Sequence, residues 1–312
     1  MQLRPAIADD ARAVADLETA RTPDEPRSAA MIAYWWTHMP EGARWLRLVD
    51  QHVYVEASHD AWVKGERRFG WVWVTVHPDA WTADLYRAGV ERCESWLLQE
   101  AAQVASVEVR EDFARELDVL AGLGYREERR ERFWELDLVG RREVLLAAAE
   151  RSRAEMRRLG VELVTLEGAD DESTLRQVFE LDVATTQDVP TTVPIYRPSF
   201  EEWRRNYFEN PAIRLDRFWV ARVEGELAGM SLIAFPPERG VPSTEFTGVA
   251  AKFRGRGIAR ALKYQTVAQA IAIGATRLRT DNDSTNAPIL HINAEMGYVP
   301  ITPYLELHRD LR

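Results

Sequence analysis

Three pairs of residues in this chain stand at one constant interval of 173 positions: Val76 and Val249, Gly124 and Gly297, Tyr125 and Tyr298. A glycine–tyrosine step recurring at the same distance as a strand valine marks a duplicated unit, and a unit of this length is a domain. Both halves read in one order: strand, two helices, three strands, helix, strand, helix, strand. In the first half Leu3 to Ala6 opens, and Ala11 to Ala20 and Ser28 to Met39 carry the helical period. Trp45 to Val49, Val53 to Ala57 and Phe69 to His77 then alternate as strands do, and Asp84 to Gln103, Ala105 to Arg110, Asp112 to Leu123 and Glu131 to Leu138 complete the set. The second half runs from Leu163 to the strand Thr302 to His308 in the same order, with helices predicted over Asp171 to Leu181, Phe200 to Phe208, Gly257 to Ile273 and Ala287 to Glu295. Its opening strand lies only about 160 positions after the first, so roughly a dozen extra residues precede its central strands. The proline-studded Asp182 to Pro198 is their natural place. Gly140 to Gly160, rich in Arg, Glu, Ala and Leu, reads as a connecting helix. The expected organisation is a mixed α/β fold with a domain over 1–139, a connector over 140–160 and a second domain over 161–312.

Charge and cysteine usage narrow the function. The net charge of −10 over 312 residues argues against nucleic acid or an anionic membrane as the main partner while permitting a local basic site. Cys93 is the single cysteine, which leaves no internal disulfide and no thiolate-rich metal site. The start, MQLRPAIADD, lacks a basic-then-apolar signal, and no run of about 18 apolar residues is present to span a bilayer. A cytoplasmic location is expected, and oligomeric state is not legible.

The stretch with the strongest chemical content is Thr244 to Ala261, TEFTGVAAKFRGRGIARA. A strand leads into a turn where Gly255 and Gly257 remove side chains from the backbone, and a helix then points its positive end at the same place. This is a cradle for a phosphate. It lacks the lysine and hydroxyl of a P-loop and the third glycine of a dinucleotide fingerprint. RGRG also reads as a basic surface loop.

Arg254-Gly255-Arg256-Gly257-Ile258-Ala259, set between a fourth strand and a third helix, is similar to the Q/R-x-x-G-x-G/A coenzyme motif of the GNAT superfamily of acyl-CoA-dependent N-acyltransferases. The resemblance covers both halves and implies two tandem acyl-CoA N-acyltransferase-like domains. It further implies that the turn from Arg254 to Ala259 holds the pyrophosphate of acetyl-CoA. Val249, Ala250 and Ala251 would pair with pantetheine where the fourth strand splays from the fifth. Asn286 falls where the family places a pantetheine contact, and it also suits an N-cap before Ala287-Pro288. The family's tyrosine acid falls on Asn293, which is expected at the coenzyme but cannot donate the proton. Tyr304, Tyr298 and His291 are the substitutes, with Tyr304 assigned; the alternative is that the thiolate leaves without a dedicated acid. Strand alternation puts Ser243, Glu245, Thr247 and Val249 on one face, making Glu245 the general base.

The first copy lacks the cradle: Trp81-Thr82-Ala83-Asp84 stands in place of Arg254-Gly255-Arg256-Gly257. A carboxylate there repels a pyrophosphate, so this half is expected to bind no coenzyme, with Asp84 capping its helix. The expected activity is acetyl transfer from acetyl-CoA to an amine on a small molecule in the C-terminal half, with Asp188, Tyr196, Trp203 and Tyr207 lining the acceptor side. An isolated C-terminal half is expected to retain coenzyme binding. The alternative is a non-catalytic acyl-CoA-binding or regulatory protein.

Overall fold

A computed structural model describes residues 2–39, 42–59, 67–169, 171–189, 197–283 and 286–311. The first half comprises β1 (Arg4–Pro5), α1 (Ala11–Arg21), α2 (Ala29–Thr37), β2 (Arg44–Val49), β3 (Val53–His59), β4 (Phe69–Val76), α3 (Ala83–Gln99), β5 (Val104–Arg110), α4 (Ala114–Leu123) and β6 (Arg126–Asp137). α5 (Arg142–Arg158) connects to β7 (Val161–Thr165), α6 (Glu172–Thr186), α7 (Phe200–Phe208), β8 (Phe218–Val223), β9 (Glu226–Ala234), β10 (Ser243–Val249), α8 (Ile258–Ala272), β11 (Arg277–Asp283), α9 (Ala287–Met296), β12 (Val299–Pro300) and β13 (Tyr304–Asp310).

The described strands form one sheet in the order β1-β2-β3-β4-β5-β13-β6-β11-β10-β9-β8-β7, with β12 also on β6. The halves therefore exchange strands. β13, from the second half, lies between β5 and β6 of the first, while the end of β6 lies between β11 and β12 of the second. The registers are related by the same interval of 173: Arg277 opposes Asp137 as Val104 opposes Asp310. A pseudo-two-fold axis thus runs between β6 and β13. The boundary at 139/140 separates the sequence repeats but not independent sheets, because Leu136 and Leu138 are buried with Ile233, Val267 and Leu278 of the second half.

β6 begins at Arg126, five residues before the strand expected from Glu131. The run Arg126 to Arg132 is charged at every position and shows no apolar alternation, yet it pairs with β13 from Arg126 to Glu131. Long-range pairing overrides local composition here. α6 runs to Thr186 and so absorbs the start of the expected insertion, placing Asp182 buried on its last turns. Tyr196 lies outside the described residues.

Helices cover both faces. α5 and α8 pack on one side of the second half, with Met156, Ala261 and Leu262 against Val249. On the other face α6 and α7 bury Phe179, Trp203 and Met230 in one cluster. On that face α2 meets α7 across the axis, where the Tyr34 hydroxyl donates to the Asn206 carbonyl at 3.0 Å.

Candidate active site

Gly255 and Gly257 both adopt left-handed backbone, φ +76° and +80°. That conformation strains residues with a β-carbon. No protein atom lies within 4 Å of where a Gly255 Cβ would stand, so the turn faces open space. Gly257 is the N-cap of α8 and supplies no side-chain cap. Among the described residues the backbone N–H groups of Gly255 to Arg260 find no acceptor; the first helical bond runs from Ala261 to the Gly257 carbonyl at 3.0 Å. A row of unsatisfied donors at the positive end of a 15-residue helix is a site for an anion.

The rim of the turn is braced. Arg254 donates through Nε to the Val249 carbonyl at 3.0 Å, and its terminal nitrogen pairs with Asp188 after α6. Arg256 lies over the Phe253 ring, 5.4 Å from its centroid. Lys252 is paired with Glu226, leaving Arg256 as the basic side chain of the turn without an ion pair among the described residues.

The first half differs at the same place. α3 starts at Ala83, two repeat positions before the start of α8, and Thr82 Oγ1 accepts from the Leu85 N–H at 3.1 Å. The cap is therefore Thr82 and not Asp84, as expected from sequence. With its first turn capped by its own side chain, α3 offers a poorer anion site.

β10 and β11 pair in parallel only at Ser243 and Arg279, after which the strands part. The Ala250 N–H donates to the Ala228 carbonyl on β9, so by alternation the N–H of Val249 points away from β9 into the wedge. Val249, Ala250 and Ala251 thus form one continuous edge from the wedge to the glycine turn.

Glu245 is the extra residue of a β-bulge, since Thr244 opposes Ile233 and Phe246 opposes Leu232. The bulge breaks the alternation read from sequence. Val249 packs on α8 and Thr244 lies beside Tyr298, whereas Phe246 joins the cluster under α6 and α7. Glu245 consequently parts from Thr247 and Val249 and shares a face with Ser243, whose hydroxyl it accepts. It is open to solvent on one side, but surrounding protein raises its pKa above the ordinary carboxylate range; the Ser243 bond opposes this and nearby Asp281 adds to it.

Asp281, on β11, was not singled out by sequence. Burial raises its pKa as well, with Arg129 and Lys263 pulling the other way. The signal that points to it is the repeat, because Asp281 stands 173 positions after Glu108, another acidic strand residue. Behind the two carboxylates, Asp182 accepts from Trp203 Nε1 at 2.7 Å and is bonded by Tyr207. A cavity of about 230 Å³ opens beside them, lined by Asp182, Trp203, Asn206 and Tyr207.

On the α8 side of the wedge sits Lys263, 1% exposed. Its Nζ donates to Asn293 Oδ1 at 2.7 Å, and Asn293 Nδ2 donates to Asn282 Oδ1 at 2.6 Å. Burial drives the lysine pKa down to about 7, opposed by Asp281. Asn293 is fully buried and bonded at both ends. Asn286 occupies the N-cap position of α9 but makes no side-chain cap bond. Tyr304 is placed elsewhere: its hydroxyl donates to Glu25 at 2.6 Å, and β6 and β11 separate its strand from β10 by about 14 Å at the usual strand spacing. The structure does not bring Tyr304 and Glu245 together. His291 is a residue of α9, and Tyr298 is buried beyond its C-cap.

A family model described as the acetyltransferase (GNAT) family matches residues 176–298, which contain the glycine turn, the wedge, Glu245, Lys263, Asp281 and Asn293. The fold of the whole chain is that of tandem GNAT proteins. A tandem GNAT protein from the clavulanic acid biosynthesis pathway superposes with a TM-score of 0.78 at 16% identity, covering 100% of this chain and 98% of that one. A GCN5-related N-acetyltransferase from Sphaerobacter thermophilus gives 0.68 at 19% identity over 100% and 96%. The family match supports acyltransferase chemistry in general. Among the described residues no helix is long and apolar enough to cross a membrane.

Proposed function

We propose that the protein is an N-acetyltransferase that moves an acetyl group from acetyl-CoA to an amine of a small-molecule acceptor, with its chemistry in the C-terminal half. The observation that carries this reading is the alignment of three features along one line: unsatisfied N–H groups at Gly255 to Arg260, the open edge at Val249, and two carboxylates, Glu245 and Asp281, on the far side. The residues fit the coenzyme, since no protein atom lies within 4 Å of the Gly255 Cβ position, only side-chain ends of Arg260 and Met156 come as near as 3.7 Å to the Gly257 Cβ position, and the turn's donors are free for a pyrophosphate.

When bound, acetyl-CoA supplies a thioester carbonyl as the acyl donor. The Val249 N–H is directed into the wedge, where it would polarise that carbonyl. Glu245 and Asp281 attract an ammonium to the acceptor side, and Glu245, its pKa raised by its surroundings, removes a proton to free the nitrogen for attack. Lys263, held by Asn293 on the opposite side, would supply a cation on the thiol side of the wedge when the coenzyme is bound. We assign it the role left open by the absence of a tyrosine at position 293. Asp182, Trp203 and Tyr207 form a wall of the acceptor cavity.

Calorimetric binding of acetyl-CoA, followed by thiol release against a panel of small amines, tests the reading on the full chain. Amine-dependent release supports it. Binding without release across the panel would favour the second reading, a non-catalytic acyl-CoA-binding protein.

A further inference from the structure

The first half keeps a cavity of its own. About 290 Å³ of space lies on the sheet face covered by α1 and α2, enclosed by Trp36, Tyr54, Trp71 and Trp73, with Trp35, 52% exposed, at its rim. Aromatic faces carry negative potential, and several around one space favour a cation with an apolar body.

The charges on the wall point the same way. Glu18 accepts from Trp73 Nε1 at 2.9 Å and stands 3.7 Å from Arg27. Glu56 pairs with Arg47 at 3.2 Å, and Arg47 donates to the Trp36 carbonyl at 3.2 Å and lies over the Trp36 ring, 5.3 Å from its centroid, so Glu56 is already matched by a cation, although Arg47 Nη2 has no hydrogen-bond partner among the described residues. Glu108 is different. It faces the cavity from β5 with no direct hydrogen bond or ion pair among the described residues; the one cation acting on it is Arg27, which is itself 3.7 Å from Glu18. Burial, with Glu131, Asp281 and Glu306 nearby, pushes its pKa up to about 7 against the pull of Arg27, and a second, bound cation would bring it further down.

Glu108 is also the repeat counterpart of Asp281, as Trp73 is of Phe246. The first half has lost the glycine turn and kept an acidic residue at the acceptor position, surrounded by more aromatic rings than its counterpart. We propose that this cavity is a second ligand site, which binds a small organic ammonium through Glu108 and the surrounding aromatic rings and does so without coenzyme. The site takes primary or quaternary amines bearing an apolar group of about ten heavy atoms or fewer, the size that a cavity at the small end of the ligand-pocket range admits.

The test uses the full-length protein and titrates benzylamine and benzyltrimethylammonium against neutral benzyl alcohol, read by calorimetry and by tryptophan fluorescence. The cations are expected to bind at least about tenfold more tightly than the alcohol. Glu108→Gln, which preserves shape, should remove that preference, and Trp35→Ala, at the half-exposed rim, should weaken cation binding several-fold. Gly257→Asp should leave it unchanged. Equal affinity for alcohol and cations would overturn the proposal. So would loss of cation binding in Glu245→Gln but not in Glu108→Gln, which would place the ammonium in the C-terminal site. Thermal melts of both first-half variants separate lost binding from lost folding.

Discussion

Tyr304 on β13 lies directly opposite Glu131 on β6, and each is the other's counterpart in the repeat, 173 positions apart. A residue pairs with its own copy only where a two-fold axis passes between the strands. The two halves are therefore arranged as the subunits of a strand-exchanged dimer joined in one chain, and each sheet is completed by the other half. The first half thereby acquires a structural role, because β6 closes the edge of β11, the strand that bears Asp281 and Asn282.

The strand exchange reverses the expectation from sequence that an isolated C-terminal half retains coenzyme binding: a fragment of residues 161–312 is now expected not to fold as a stable unit. Without β6 it loses the partners of β11 and β13 and exposes the cluster that Leu136 and Leu138 cover. The fragment is expected to aggregate or to melt without cooperativity, and co-expression with residues 1–160 should restore a soluble, cooperatively melting pair. A monomeric fragment with a sharp melt and full coenzyme affinity would contradict the exchange.

Gly257→Asp places in the C-terminal turn the residue that the first half carries. The left-handed backbone, φ +80°, costs a residue with a β-carbon on the order of 1 kcal/mol, less for Asp than for most. The larger effect is the negative charge at the start of α8 facing a pyrophosphate. Acetyl-CoA affinity is expected to fall roughly 100-fold or more, with a melting temperature within a few degrees of the parent. Gly257→Asn, of similar shape but neutral, should lose distinctly less. Equal losses in both variants would show that shape alone matters at this position.

The repeat, the glycine turn and the order of elements were legible because each is written locally, in periodicity or in glycines with a backbone role. The exchange of β6 and β13 was not, because Arg126 to Arg132 has no apolar alternation and becomes a strand only through its partner. The bulge at Glu245 was hidden for a similar reason: an insertion of one residue against β9 leaves no mark within β10 itself. Asp281 and Lys263 were present in the sequence but lacked a motif. Only the folded wedge sets one carboxylate and one buried ammonium on its opposite sides.

Lys263 gives a pH-dependent signature in stability. Its folded pKa, about 7, lies below the unfolded value of 10.5. Above 10.5 the group is neutral in both states. As pH falls from there to about 7 the unfolded chain gains a proton that the folded chain resists, so stability is lost across that window and the loss is complete below it. Lys263→Met lacks this dependence. The difference in melting temperature, variant minus parent, should be more positive at pH 7 than at pH 10, whatever constant offset arises from the unpaired Asn293 oxygen. Parallel pH profiles would show that the lysine is not depressed.

Glu245→Gln tests the base while preserving the bulge and the Ser243 contact. A general base works when ionised, so turnover in the parent should rise with pH through a pKa above the ordinary carboxylate value of 4.5, because the surrounding protein and Asp281 raise it. In the variant that rise should disappear and turnover at neutral pH should fall by about 100-fold, a typical contribution of a positioned base. Acetyl-CoA affinity should change little, since Glu245 lies on the side of the sheet proposed for the acceptor and the N–H groups of the glycine turn are untouched. If Glu245 served only to attract the ammonium, the variant would raise the KM for the amine and keep both kcat and its pH profile, so the two roles separate in one set of steady-state measurements.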